Sequence, residues 1–145
     1  MKISSKGHYA LRLLVEMAMR PNDTFVSLSD LADSQGLPKK YLGQIAIVLK
    51  EHGLLLSIRG PQGGYRLAKS PAEYSFGEVL RLTEATMTPA PCIDKSSALC
   101  ERHETCHLFE CWIGLNQTVN DYLDNITLQD ILDKRAGKIS SRLES

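Results

Sequence analysis

The sequence has no apolar run near the length of a bilayer crossing, so no transmembrane helix is expected. Its first residues, M-K-I-S-S-K-G-H-Y, lack an unbroken apolar stretch and a small-residue cleavage site, so no secretory signal is read there. A cytoplasmic location is the expectation, and thiols stay reduced in that compartment. No Gly-Lys-Ser/Thr follows the one glycine-rich stretch, which argues against a nucleotide-binding loop. No C-x-x-C and no Cys/His/Asp set suggests catalysis, so an enzyme is not expected. Cysteine is missing from most of the chain: all four lie between Pro89 and Trp112.

Net charge is absent too, but its halves are not alike. Residues 1–70 carry ten Lys/Arg against five Asp/Glu, a net of +5; residues 71–145 carry seven against twelve, a net of −5. A basic half joined to an acidic half can lay one face on nucleic acid and hold the other away. With 145 residues, 43% of them hydrophobic, the chain is long enough for one core.

Ala10, Leu13, Leu14, Met17 and Ala18 recur at helical spacing, which predicts an amphipathic helix over about 4–20. Ser27 reads as an N-cap, with Asp30 three residues on, for a short helix over about 28–35 that stops at Gly36. Pro38 is expected at the first position of the next helix. Leu42, Ile45, Ala46 and Leu49 line one face of that helix, which ends near Gly53. Two helices around a glycine-containing turn form a helix-turn-helix, whose second helix reads DNA with its N-terminal residues. Those residues are Pro38, Lys39, Lys40, Tyr41, Gly43 and Gln44. Lysine can neutralise phosphate or reach guanine, and Gln44 can pair bidentately with adenine.

Leu54 to Ile58, then R-G-P-Q-G-G, then Tyr65-Arg66-Leu67 predict strand, turn and strand. A hairpin directly after a recognition helix is a wing. Its glycines would let backbone approach a phosphate, and Arg59 could enter a minor groove.

In the second half, Ser75 to Glu78 read as a capping box opening a helix to about Thr83. Leu108, Trp112, Leu115, Val119, Tyr122 and Ile126 then fall at alternating steps of four and three. That spacing is the seam of a helix that packs on another helix. A homodimer is expected, because helix-turn-helix proteins read paired half-sites. Thr127 to Asp130 start a final short helix, and the tail after Gly137 is expected to fray. The spacing C-x7-C-x5-C-x4-C brings thiolates to the foot of the seam helix. Thiolates suit an iron–sulfur cluster, zinc or Cu(I).

M-K-I-S-S-K-G-H-Y-A-L, L-S-D-L-A, Y-L-G-Q and S-I-R-G-P-Q-G-G-Y-R-L-A-K together resemble the Rrf-type family of bacterial winged-helix transcription regulators. The similarity runs from Met1 to about Ile131. It implies a double-stranded DNA operator, contacted by Ser27, Lys39, Lys40, Tyr41, Gln44 and the wing residues Arg59, Gly60, Pro61, Gly63 and Gly64. The family's iron–sulfur-assembly regulator has a glutamate where this chain has Gly43, so that member's operator does not transfer.

The resemblance also implies three cysteine ligands to an iron–sulfur cluster, 2Fe-2S or 4Fe-4S. Cys106 matches the last by its spacing to Trp112, Cys100 the middle one, and Cys92 the first after a longer gap. Phe109 stands where the assembly regulator has its histidine ligand. The fourth ligand is then sought among His8, Cys111, His107 and His103. His8 lies near the position from which the family's nitric-oxide sensor completes its cluster across the dimer.

The expected architecture is mainly α: a winged helix-turn-helix with a two-stranded wing and a long C-terminal dimerisation helix. The expected divisions are a DNA-binding domain over 1–84, a Cys-rich cluster-binding loop over 85–107, a dimerisation helix and short terminal helix over 108–137, and a disordered tail over 138–145. The expected protein is a homodimeric repressor or activator that senses redox, nitric oxide or iron–sulfur status. Two alternatives stand beside it: a regulator answering a small molecule or partner protein without a cluster, and a zinc or thiol switch at the same loop.

Overall fold

The computed structural model describes residues 1–21, 23–95 and 97–133. The tail expected to fray lies outside them, as do residues 134–137 of the expected terminal segment.

Helix α1 spans Ser5–Ala18; the Ser4 hydroxyl caps it by accepting from the Gly7 N–H. Its buried stripe is Ala10, Leu13, Leu14 and Met17, three and four residues apart as the sequence predicts. Helix α2, Leu28–Gln35, is capped by Ser27, which accepts from the Asp30 N–H at 3.1 Å. Gly36 ends it with φ 64°, a left-handed C-cap that suits glycine. Helix α3 is Lys39–Glu51. Pro38 sits one position earlier than expected, as the N-cap with extended backbone (ψ 127°). Its carbonyl accepts from Leu42 N–H at 3.0 Å, and its missing N–H costs nothing outside the helix.

Gly53 (φ 75°) turns the chain into strand β1, Leu55–Ile58, which pairs antiparallel with β2, Gly64–Leu67. The register sets Leu55 opposite Leu67 and Ile58 opposite Gly64. Val26 adds one rung on the far side of β2: its N–H and carbonyl exchange hydrogen bonds with Tyr65, both at 2.8 Å. That rung ties the wing to the residue just before Ser27, at the entrance to α2.

Helix α4, Phe76–Thr83, is capped by the Ser75 hydroxyl, which accepts from the Glu78 N–H at 3.0 Å. The expected capping box is only half formed. The Glu78 carboxylate turns instead to Lys69 Nζ at 3.2 Å. Reciprocal boxes form at Ser70/Glu73 and at Thr127/Asp130. Helix α5 spans Phe109–Asp124 and α6 spans Leu128–Leu132.

The architecture is the expected one: mainly helical, with a two-stranded wing after a helix-turn-helix and a long helix near the C-terminus. Among the described residues, one core joins the two halves: Leu13, Leu31, Leu42, Leu49 and Leu55 from the first share it with Tyr74, Leu123 and Leu128 from the second. Each such buried side chain contributes roughly 1.5–3 kcal/mol over its exposed state. The return is hydrogen-bonded as well. Phe76 N–H donates to the Ile126 carbonyl at 2.8 Å, and Leu128 N–H donates to the Tyr74 carbonyl at 3.1 Å.

Candidate nucleic-acid interface and thiol loop

The periodicity of α3 sorts its side chains into two faces. Leu42, Ile45, Ala46 and Leu49 are buried, while Lys39, Lys40, Gln44 and Ile47 are exposed. Lys40, Gln44 and Ile47 follow one another at helical spacing and form one outward stripe. Tyr41 sits at its margin, half-buried and edge-on to Tyr9 with ring centroids 5.7 Å apart. Gly43 is half-buried where α3 crosses α2. A Cβ there would lie 3.2 Å from Leu28 Cδ2, so the glycine serves the helix crossing as much as the outer face. Ser27 spends an acceptor lone pair on its cap, and its O–H proton can still be donated to a phosphate.

Arg59, Gly60, Pro61 and Gln62 are exposed at the wing tip. The Gly63 N–H donates to the Gly60 carbonyl at 2.9 Å and closes the turn; Gly60 has φ 112°. Gly63 and Gly64 have reasons of their own to be glycine. A Cβ on Gly63 would run into the Ile58 carbonyl, and one on Gly64 into the Val26 carbonyl. Close internal packing is therefore a reason for glycine at these two positions in addition to the phosphate approach that the sequence suggested.

Between α4 and α5 runs the thiol loop. A single turn at Pro91–Ile93 carries Cys92, which is half-buried in a groove of about 370 Å³ with Leu99, Phe109 and Ile113. Cys100 is half-buried, and its carbonyl accepts from His103 N–H at 3.0 Å and from His103 Nδ1 at 2.8 Å. A carbonyl only accepts, so Nδ1 carries the proton and Nε2 of the neutral ring keeps its lone pair. Cys106 and Cys111 are exposed; Cys106 shares a second groove with His103, His107 and Phe109.

Three thiols and two imidazoles within one loop, with Cys111 in the first turn of α5 after it, are a donor set of the right chemistry for a soft metal centre. The structure does not gather them. Among the described residues, no three His, Cys, Asp or Glu side chains converge on one point. Cys92 and Cys106 line separate grooves. His8 is exposed on α1 and lines a third cleft, with Arg12, Phe76 and Ile131. A shared centre therefore requires the loop to close.

Two contacts flank that loop. At its start, the Glu84 carboxylate accepts from the Ser4 N–H at 3.1 Å and the Ser4 hydroxyl at 2.8 Å, at the N-terminus of α1. Gly7 leaves room for it, since a Cβ there would strike Glu84 Oε1. Just before, Arg81 on α4 donates to Asp124 Oδ1 at 2.6 Å and to Asn120 Oδ1 at 2.7 Å, both on α5. Neither link could be read from residue spacing, since both join residues far apart in the chain.

The seam of α5 is apolar as predicted but only half covered. Of the predicted seam residues, Ile126, just past the end of α5, is buried and Trp112, Val119 and Tyr122 are half-buried, while Leu108 and Leu115 are 57% and 43% exposed; Leu123, outside the predicted seam, is the residue of α5 that is buried. Ile47 on α3 was also missed. Its signal was an apolar residue outside the buried set 42, 45, 46 and 49.

Comparison with known proteins accords with this geometry. The family model Rrf2, described as an iron-dependent transcriptional regulator, matches residues 3–134. The HTH-type transcriptional regulator IscR of Pectobacterium atrosepticum is 31% identical over 135 residues, covering 93% of this chain and 81% of that protein. The structure of CymR, the global cysteine regulator of B. subtilis, matches with TM-score 0.75 and 31% identity, over 92% of this chain and 98% of that one. IscR of T. potens matches with TM-score 0.71 and 31% identity, over 93% of this chain and 88% of that one. No helix among the described residues is long and apolar enough to cross a membrane.

Proposed function

Because the chain belongs to the Rrf2 family, and so is a DNA-binding transcriptional regulator, we propose that it grips a two-fold operator as a homodimer and that its thiol loop is the sensor. Residues 1–84 are the reading unit, 85–107 the sensor, and α5 with the segment to 137 the dimer element. Lys39, Lys40 and Gln44 enter the major groove, Tyr41 and Ser27 hold phosphate, and Arg59 with Gly60, Pro61, Gly63 and Gly64 forms the wing contact. The exposed stripe on α3 and the exposure of Arg59 at the wing tip support this assignment.

The observation that carries the sensing proposal is the position of the four thiols. Cys92, Cys100 and Cys106 lie on the connection between Glu84, which clamps the start of α1, and α5, which Arg81 clasps to α4, and Cys111 lies in the first turn of α5. Cys92, Cys100 and Cys106 would hold an iron–sulfur cluster, completed by His8, Cys111 or His107. When bound, that group supplies iron–thiolate bonds and a charge that varies with redox state. The residues of the chain do the rest. An ordered loop fixes Glu84 on Ser4 and Arg81 on Asp124 and Asn120, which sets the angle between each reading head and α5. A slackened loop frees both, and two heads then miss one operator together. Changing from mostly bound to mostly free requires a difference of about 5 kcal/mol between the two loop states.

A second reading has its own support. Cys106 and Cys111 are exposed, and among the described residues no three ligands converge, which suits a thiol switch that works by oxidation. A similar solved structure, CymR of Staphylococcus aureus at 33% identity, is of an oxidized form, which accords with that reading.

One experiment separates the two. The protein is purified without oxygen, its iron is measured and typed by Mössbauer spectroscopy, and operator retention is compared for loaded, metal-stripped and oxidised samples. Iron that disappears in Cys100→Ala and Cys106→Ala supports the cluster. Iron-free protein whose binding responds to oxidant supports the thiol switch. Equal affinity in every state defeats sensing and leaves only DNA binding.

A further inference from the structure

We propose that Ile47 is a base-reading residue, which recognises the C5 methyl group of one thymine in each half-site. The inference rests on the reading of α3 as the helix that enters the major groove, and deepens it by naming a base.

Ile47 is 52% exposed, although Ile45, Ala46 and Leu49 around it are buried. It follows Gln44 by three residues and Lys40 by seven, on the same outward stripe. Placed in a major groove, that stripe meets base edges. Of the groups displayed there, only the thymine methyl is apolar and complements an aliphatic side chain. Ile47 lies about 4.5 Å beyond Gln44 along the axis of α3. One base step in the duplex is about 3.4 Å. If Gln44 pairs with an adenine, Ile47 meets the pair next to it.

The neighbouring residues sharpen the case. Gly43 brings no side chain into the space between Lys40 and Ile47, so no carboxylate accepts from a cytosine amino group there. The outward groups of α3 up to Ile47 are two cations, an amide and a branched alkyl group. That set favours guanine, adenine and thymine, and lacks the carboxylate that pairs with the cytosine amino group.

The test begins with the full-length protein and a pool of random duplexes, from which bound sequences are selected. Each thymine of the selected site is then replaced by uracil, which lacks only the C5 methyl. Loss of one methyl contact is expected to weaken binding about fourfold at one position per half-site. Ile47→Ala should bind the thymine and uracil duplexes equally, and Ile47→Val should keep most of the difference. Ile47 is a surface residue and alanine favours helix, so the variant folds; its thermal unfolding serves as the control. A wild-type protein indifferent to uracil everywhere, or an Ile47→Ala variant that keeps the full uracil penalty, overturns the proposal. A pool with no enriched sequence would instead overturn the reading of α3 itself, and Ile47 with it.

Discussion

The Tyr74 hydroxyl donates to the Leu54 carbonyl at 2.6 Å and accepts from the Ala68 N–H at 3.0 Å and the Lys69 N–H at 3.3 Å. One buried side chain thus satisfies the backbone at both open ends of the wing. Tyr74→Phe leaves the Lys69 N–H without its partner and the Ala68 N–H and Leu54 carbonyl with only each other, at 3.3 Å, which costs about 1–3 kcal/mol, measurable by urea unfolding. The effect has a pH signature. Burial, ahead of the opposing N–H bonds from Lys69 and Ala68, holds the phenol above its ordinary value of 10.0. The folded chain therefore keeps this proton longer than the unfolded one. The stabilisation is whole below about pH 10 and falls as pH rises through the elevated folded value. The difference between wild type and Tyr74→Phe should shrink along that alkaline limb.

Gly64 and Gly36 both have positive φ, at 154° and 64°, yet their surroundings differ. Nothing lies within 4 Å of a Cβ placed on Gly36, whereas one on Gly64 would strike the Val26 carbonyl. Gly36→Ala is expected to cost about 1 kcal/mol from backbone strain alone. Gly64→Ala adds overpacking and should cost about 2–4 kcal/mol. Calorimetric unfolding of the two variants checks the order. Equal losses would mean that the Val26–Tyr65 rung does not constrain the wing.

Arg59 and Lys40 are exposed cations on the two parts of the reading head. Replacing either by alanine should weaken operator binding. If the contact is to phosphate, the slope of log affinity against log salt falls by about 0.9 per half-site contact. If it is to a base, the slope holds and discrimination at one position drops by about 1–3 kcal/mol. Salt titrations on the selected operator and on a scrambled duplex distinguish the two outcomes.

Leu115 lies on the uncovered part of α5. Leu115→Glu should leave the stability of the single chain within about 0.5 kcal/mol, since the side chain is already wet there. It should nevertheless shift sedimentation from dimer to monomer and abolish binding to a paired site while sparing half-site contact. An unchanged dimer would mean that this seam is not the self-association surface.

The legible parts of this fold were those written in short-range pattern. The stripe Leu42, Ile45, Ala46, Leu49 announced the buried face of α3, and Ser27 with Asp30 announced the start of α2, because both depend on neighbours within one or two turns. The box expected at Ser75 came out half right. Glu78 has the correct spacing, but Lys69, nine residues earlier, takes its carboxylate. Long-range partners left no mark that spacing could reveal. Glu84 on Ser4 and Arg81 on Asp124 are of this kind. The thiol loop shows the same limit: the sequence announces which donors are present, while which of them meet depends on how the connection is folded.

The pairing of Phe76 with Ile126 and the burial of Leu128 bear on how such a regulator could be altered by deletion. A stop codon or protease cut ahead of that segment would remove a wall of the compartment that houses Tyr74. The product would be an unstable stub with its oily interior laid open, in place of a permanently active DNA reader. On the proposed role of the thiol loop as sensor, release from its control is therefore open to point changes within the loop and closed to simple shortening of the gene.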